Sequence, residues 1–295
     1  MTDNPIRILI TGAYGQLGKS IKQIIDRDLS GIEATYTDID SLDLTNPETV
    51  DSKLKEGNFD IIVNCAAYTA VDRAESDEVS CSKINTEAVG HIAKAARRNK
   101  VKVIHISTDY VFNGENFRPY DENDEPDPRS IYGRTKLEGE GILMSFCPDS
   151  IIIRTAWLYS EYGNNFVKTM LRLGTEKDSI GVVCDQIGTP TYAGDLAATI
   201  LQVILSDKWK PGIYHFTNEG VASWYDFAIA IHKLAHIDKC RITPLATKEY
   251  PTAARRPQYS VLSKKKIKNT FGIVIPHWEE SLARCIDSMK IIDQQ

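Results

Sequence analysis

The sequence has no apolar run of membrane-spanning length. Its opening residues, Met1-Thr-Asp-Asn-Pro5, carry neither the basic nor the apolar region of a secretory signal. The expectation is a cytoplasmic protein with no membrane partner. No two of the six cysteines (Cys65, Cys81, Cys147, Cys184, Cys240 and Cys285) form a Cys-x-x-Cys, and no histidine stands at zinc-finger spacing. Buried free thiols and no dedicated metal site are therefore expected. An excess of basic residues is also missing. With 35 Lys and Arg against 40 Asp and Glu the net charge is -5, which argues against nucleic acid as a partner. There is no internal repeat and no low-complexity tract. What remains is ordinary globular composition over 295 residues, enough for one large domain or two intimate ones.

Short apolar runs alternate with helical patterns through the first half. Ile6–Ile10 reads as a buried strand, followed by a helix over about Gln16–Arg27. Glu33–Thr37, Asp60–Asn64, Val101–Ser107 and Ile151–Arg154 read as further strands. Helices are expected over Thr86–Arg98 and Ser130–Phe146, and Thr45 or Asn46 followed by Pro47 looks like a helix start. This alternation predicts an α/β fold, a doubly wound parallel sheet of Rossmann type. Leu196–Leu205 and Gly212–Phe216 would return to the sheet. The expected division is a dinucleotide-binding domain over 1–159 and 192–218, with a smaller, discontinuous substrate lobe over 160–191 and 219–295.

Ligands in such sheets bind beyond the carboxyl ends of the strands, where the motifs fall. Thr11-Gly-Ala-Tyr-Gly-Gln-Leu-Gly18 joins a strand to a helix. Its glycines allow close backbone approach, and the helix N-terminus offers free N–H groups to a pyrophosphate. Gly12, Tyr14, Gly15, Gln16, Leu17 and Gly18 are thus candidate cofactor residues. Asp38, 20 residues after Gly18, can bond an adenosine ribose and would repel a 2′-phosphate, which tilts the local chemistry toward NADH over NADPH. A plain turn role for Asp38 stays open. Asp43 and Leu44 could flank the adenine. Ala66 and Ala67 would let a cofactor lie close, with Tyr68 and Thr69 beside the nicotinamide.

Of 13 tyrosines only Tyr132 has a lysine four residues on, Lys136. That spacing puts phenol and ammonium on one helical face, where the cation is expected to lower the phenol pKa and make a usable proton donor. Thr108, at a strand end, would bond the substrate carbonyl. A surface helix pair is the bland alternative, which the glycine loop and the Ser107-Thr108 strand end disfavour. Asp109 and Tyr110 could touch substrate, Trp157 could be a sugar platform or a core aromatic, and Arg256 could hold a diphosphate or be solvated. The acidic stretch 121–127 is read as a solvated loop.

Together these residues resemble the extended short-chain dehydrogenase/reductase superfamily, and within it the dTDP-4-dehydrorhamnose reductase family. The resemblance runs over nearly the whole chain. It is carried by the glycine loop, Asn64-Cys-Ala-Ala-Tyr-Thr-Ala-Val-Asp72, Ser107-Thr-Asp-Tyr-Val-Phe-Asn-Gly114, Tyr132-Gly-Arg-Thr-Lys136, Arg154-Thr-Ala-Trp-Leu-Tyr159, Asp185-Gln-Ile-Gly-Thr-Pro-Thr191 and Arg256-Pro257. It implies a two-domain fold and a dTDP-sugar substrate. It also implies NADPH or NADH as reductant, and reduction of a C4 keto group in dTDP-L-rhamnose synthesis for cell-surface polysaccharide. Tyr132, Lys136 and Thr108 stand where the family's catalytic residues stand, and Trp157 where an aromatic packs on the sugar. Some members form homodimers with interface magnesium, for which no residue pattern is found here. Two rival readings share the resemblance: a nucleotide-sugar epimerase that retains NAD, and a regulatory subunit of the methionine adenosyltransferase type.

Overall fold

The computed structural model describes residues 5–28 and 31–292. Six strands form one parallel sheet: β1 (Ile6–Thr11), β2 (Ile32–Thr37), β3 (Ile61–Asn64), β4 (Lys102–Thr108), β5 (Ile151–Thr155) and β6 (Gly212–His215). Their spatial order is β6-β5-β4-β3-β1-β2. Successive residues of β1 point to opposite faces, and both faces are covered. Ile8 and Ile10 pack with Ile61, Val63, Ile104 and Ile153 under helices α1 (Gln16–Asp28) and α5 (Ala193–Leu205). Leu9, Ile62, Val103 and Ile152 face the other layer, made by α2 (Pro47–Gly57), α3 (Ala88–Asn99) and α4 (Ile131–Phe146). Strands buried on two sides must be apolar throughout, which is why they read as continuous Ile/Val/Leu runs.

The connections leave β1 toward β2 on one side and β3 on the other, so the sheet has its switch point between β1 and β3. The glycine loop opens there. Asn46 caps α2 as expected, accepting from Glu48 N at 3.0 Å with Pro47 at the first helical position. The helix expected from Thr86 begins differently. A π-helical turn over Lys83–Glu87 feeds α3, and its extra residue lets the backbone meet α4 closely at Gly139, where a Cβ would stand 2.2 Å from Asn85 O.

A second apolar cluster joins helices Phe166–Glu176, Trp224–Leu234 and Trp278–Ile292 with the parallel strand pair Ser179–Val183 and Arg241–Leu245. Its centre holds Tyr159, Met170, Phe227, Ile231, Trp278 and Leu282. The packing departs from the expected boundary in 219–295. Ile267, Phe271, Ile273 and Ile275 belong to the core of the sheet, not to the lobe, and Leu262 packs with Phe112 and Tyr120 beside β4. The chain after residue 256 therefore runs back across the larger domain before ending in the lobe.

Candidate active site

A cavity of about 830 Å³ opens over the carboxyl ends of β1, β3, β4 and β5. Gly12, Tyr14, Gly15, Gln16, Leu17, Gly18, Asp38, Asp43, Leu44, Ala66, Ala67, Thr69, Thr108, Asp109, Tyr110, Tyr132, Lys136 and Trp157 all line it. Two expected residues do not. The Tyr68 hydroxyl turns away to Asp77 (3.3 Å), while Asn85 of the π-turn holds its backbone at both N–H and C=O. Arg256 bonds the Tyr110 hydroxyl at 2.8 Å and pairs with Asp72, so it is part-buried and lies outside the main cavity, bordering a smaller one.

The loop after β1 is shaped for an elongated polar ligand. Gly12 has φ +63°, and a Cβ there would stand 2.7 Å from Ala66 N; at Gly18 it would meet Ala13 Cα at 2.5 Å. Two hydroxyls in the lining, Ser107 Oγ and Thr155 Oγ1, are buried with no protein partner, as is Asp109 Oδ2. Orphaned polar atoms around a glycine cradle fit a dinucleotide and a hydroxyl-rich substrate. Asp38 is already engaged: Oδ2 accepts from Tyr14 N and Oδ1 from Ile39 N, both at 2.9 Å. The carboxylate thus serves the local turn, and a ribose hydroxyl would have to share it with these two N–H groups. Asp43 is held below the usual carboxylate range by its bonds from the Thr45 hydroxyl and backbone N–H. Gln16 accepts from Ser160 (3.1 Å) and Asn165 (3.0 Å), which ties the loop to the start of helix Phe166–Glu176.

Ser130 caps α4 through Gly133 N (3.1 Å), which sets the helix to present Tyr132 and Lys136 to the end of β4. Thr108, the last residue of β4, donates to Asp109 Oδ1 at 3.0 Å and accepts from Tyr110 N at 3.2 Å. Tyr132 lies edge-on to Tyr110, ring centroids 5.6 Å apart. Burial raises the Tyr132 pKa, only partly opposed by the neighbouring Thr108 hydroxyl. The expected lowering by Lys136 is not what this arrangement gives. The lysine Nζ is turned to β4, bonding Ile106 O at 2.7 Å and lying 3.3 Å from His105 Nε2, so desolvation dominates the phenol. Lys136 itself is pushed down to about 8 by burial. Asp109 is pushed up to about 6, again by burial, against the hydroxyls of Ser260 and Thr108.

Several residues of the site or its support escaped the sequence reading. Asn164 and Asn165 precede a helix and Asn165 caps it, an Asn-Asn-Phe pattern that could have been read as a cap. Trp224, stacked on Trp157, gave no local signal because the contact joins residues 67 positions apart. Within the acidic stretch, Glu122 is buried and accepts from His215 N at 3.0 Å, so that segment is not wholly solvated. Among the described residues no three His, Cys, Asp or Glu side chains are grouped to hold a metal ion.

Residues 6–291 match the family model described as RmlD substrate binding domain. A dTDP-4-dehydrorhamnose reductase of Aggregatibacter actinomycetemcomitans is 45% identical over 285 residues, covering 94% of this chain and 97% of that protein. The crystal structure of a dTDP-4-dehydrorhamnose reductase from Clostridium acetobutylicum superposes with a TM-score of 0.92 at 44% identity, covering 97% of this chain and 100% of that one. The Bacillus anthracis enzyme, solved in complex with NADP, gives 0.91 at 40% identity, covering 96% and 99%.

Proposed function

The chain belongs to the dTDP-4-dehydrorhamnose reductase family, and from that premise we propose how its residues reduce the C4 keto group of dTDP-4-dehydro-L-rhamnose with NADPH or NADH. The observation that carries the assignment of roles is the convergence of Tyr132, Thr108, Lys136 and the glycine loop on one cavity. The nicotinamide, when bound, supplies the hydride. The loop from Gly12 to Gly18 would hold its pyrophosphate, with Asp38 at the adenosine ribose and Asp43 and Leu44 at the adenine.

Tyr132 supplies the proton. Burial leaves the phenol protonated but weakly acidic, so the transfer draws on a positive charge beside it, which Lys136 would supply when charged. Thr108 stands beside it, and its hydroxyl, turned from Asp109 Oδ1 to the same carbonyl oxygen, would stabilise negative charge as it develops. Lys136 would hold the ribose hydroxyls next to the nicotinamide. The sugar nucleotide would lie between the sheet and the lobe, against Trp157, with Asp109 and Tyr110 beneath it. Tyr110 is kept in place by Arg256, so Arg256 supports the site through Tyr110. No helix among the described residues is long and apolar enough to cross a membrane. The cytoplasm, where reduced nicotinamide is supplied, is the compartment that suits this chemistry.

The test is loss of 340 nm absorbance with purified protein, reduced cofactor and dTDP-4-dehydro-L-rhamnose generated in situ. Substrate-dependent oxidation yielding dTDP-L-rhamnose is expected. NADPH compared with NADH measures what Asp38 contributes. Tightly retained NAD with no net oxidation would instead indicate an epimerase.

A further inference from the structure

A buried chain of polar groups lies behind Lys136, and the reaction as described does not use it. At the end of β3, Asn64 Oδ1 accepts from the Thr11 hydroxyl at 2.7 Å and from the Ala66 backbone N–H at 3.2 Å. A backbone N–H can only donate, so this contact fixes which end of the amide is oxygen. The amide nitrogen then donates to His105 Nδ1, 2.9 Å away. His105 is fully buried, which holds its imidazole neutral. A neutral imidazole that accepts at Nδ1 carries its proton on Nε2. That nitrogen faces Lys136 Nζ at 3.3 Å. An ammonium has only donors, so it would meet the imidazole N–H donor to donor. A neutral amine satisfies every contact: its lone pair accepts from His105 Nε2–H, and its own N–H donates to Ile106 O at 2.7 Å.

We propose that His105, oriented by Asn64, is a positioning residue that holds Lys136 against β4 and favours its neutral amine over its ammonium until the cofactor draws the lysine out. Other groups around the lysine do not reverse this. Glu140, one turn further along α4, favours the charged form, but its carboxylate is committed to Arg154. Cys65 and Cys81 would favour it only as thiolates, and burial keeps both thiols protonated. Tyr132 on the same helix is held neutral as well. Where Lys136 is the group that holds the nicotinamide ribose, as read above, its release from His105 lets it take one proton from solvent. Cofactor binding is then linked to proton uptake, most strongly between about pH 8 and the ordinary lysine value of about 10.4.

The deciding measurement is NMR on the cofactor-free full chain with isotope-labelled histidine and lysine, using Lys136→Met to assign the lysine signal. The imidazole nitrogen shifts should report the Nε2–H tautomer for His105. Lys136 should titrate near 8, below the ordinary lysine value of about 10.4. His105→Phe removes the opposing N–H. Asn64→Leu lets His105 carry its proton on Nδ1 and offer Nε2 to an ammonium. Each should raise the Lys136 midpoint by about one unit, a tenfold gain in proton affinity. A histidine serving only as packing would leave the midpoint where it was or lower it. The Nδ1–H tautomer, or an unchanged midpoint in both variants, overturns the proposal. If neither variant folds, the wild-type tautomer still decides. Because no cofactor or substrate is present, failure here leaves the reductase reading standing, and loss of that reading would show in the 340 nm assay instead.

Discussion

The indole of Trp157 lies flat on that of Trp224, ring centroids 3.5 Å apart and planes 9° from parallel. Trp157 leaves β5 in the left-handed region, φ 48°, a conformation that costs a bulky residue on the order of 1–3 kcal/mol unless its surroundings enforce it. Here they do. Trp224 begins a lobe helix whose N-terminus is fixed by a Ser223–Asp226 capping box, and Gly188 lies so close that a Cβ would stand 2.6 Å from the Trp157 ring. The aromatic expected to meet the sugar is thus seated by the lobe, and its own strand contributes only the attachment.

Removing that seat gives the first prediction. Trp224→Ala should leave the sheet and the glycine loop unchanged, so NADPH affinity by fluorescence titration stays at the wild-type value. An aromatic pair contributes about 0.5–1.5 kcal/mol beyond area burial, so KM for the dTDP-sugar should rise roughly twofold to tenfold. An unchanged KM would mean that Trp157 does not depend on the stack, or does not meet the sugar.

The contrast between Trp157 and Trp224 shows what the sequence made legible. The sheet was readable because its strands are buried on both faces and its loop glycines are confined by backbone approach, both local properties. Tyr132 and Lys136 were readable because helical periodicity places them together. Trp224, His105 and Asn165 reach the site or its support through tertiary contacts with no local signature. The protonation of the site was misread for the same reason. Spacing suggested that Lys136 would lower the Tyr132 pKa, but burial and a competing carbonyl at Ile106 govern both groups.

Asp109 gives a pH signature. Its pKa is about 6 in the folded protein and near 3.8 when unfolded, so the folded state binds more protons between those values. Its contribution to stability is present in full below pH ~4 and is lost as pH rises through about 6, on the order of 3 kcal/mol for two units. Asp109→Asn keeps the shape and can still accept from the Thr108 hydroxyl. It should flatten this part of the curve and raise stability at pH 7.5, measured by denaturant unfolding across pH. An identical pH profile in the variant would show that Asp109 is ionised normally.

The ion pair between Glu140 and Arg154 should behave in the opposite way. It is almost fully buried, with Arg154 Nη2 2.6 Å from Glu140 Oε2 and Nε 3.0 Å from Oε1. Glu140→Gln leaves a guanidinium buried without its counter-charge, which costs about 3–5 kcal/mol. The denaturation midpoint should fall accordingly, at unchanged denaturant slope. The double variant Glu140→Met with Arg154→Met should recover much of the loss, because both charges are then gone. Equal destabilisation in the single and double variants would place the loss in packing and not in charge.

Tyr132→Phe isolates the proton donor. The ring remains to meet Tyr110 edge-on, and α4 keeps its Ser130 cap, so folding and the lining of the cavity should survive. Only the hydroxyl beside Thr108 is lost. A positioned acid contributes about 10²–10⁴-fold, so kcat should fall by that amount while NADPH affinity changes little. Thr108→Val provides the second arm. It removes one donor to the carbonyl oxygen, and it also removes the hydroxyl that Asp109 accepts and that opposes the raised Tyr132 pKa. Loss of one such donor costs about 10²–10³-fold in kcat. If the two hydroxyls act on the same oxygen, the double variant should lose less than the product of the single losses, because the second removal finds a transition state already without its main support. Full turnover in Tyr132→Phe would remove the proton-donor assignment, and strictly multiplicative losses would mean that Tyr132 and Thr108 serve separate steps.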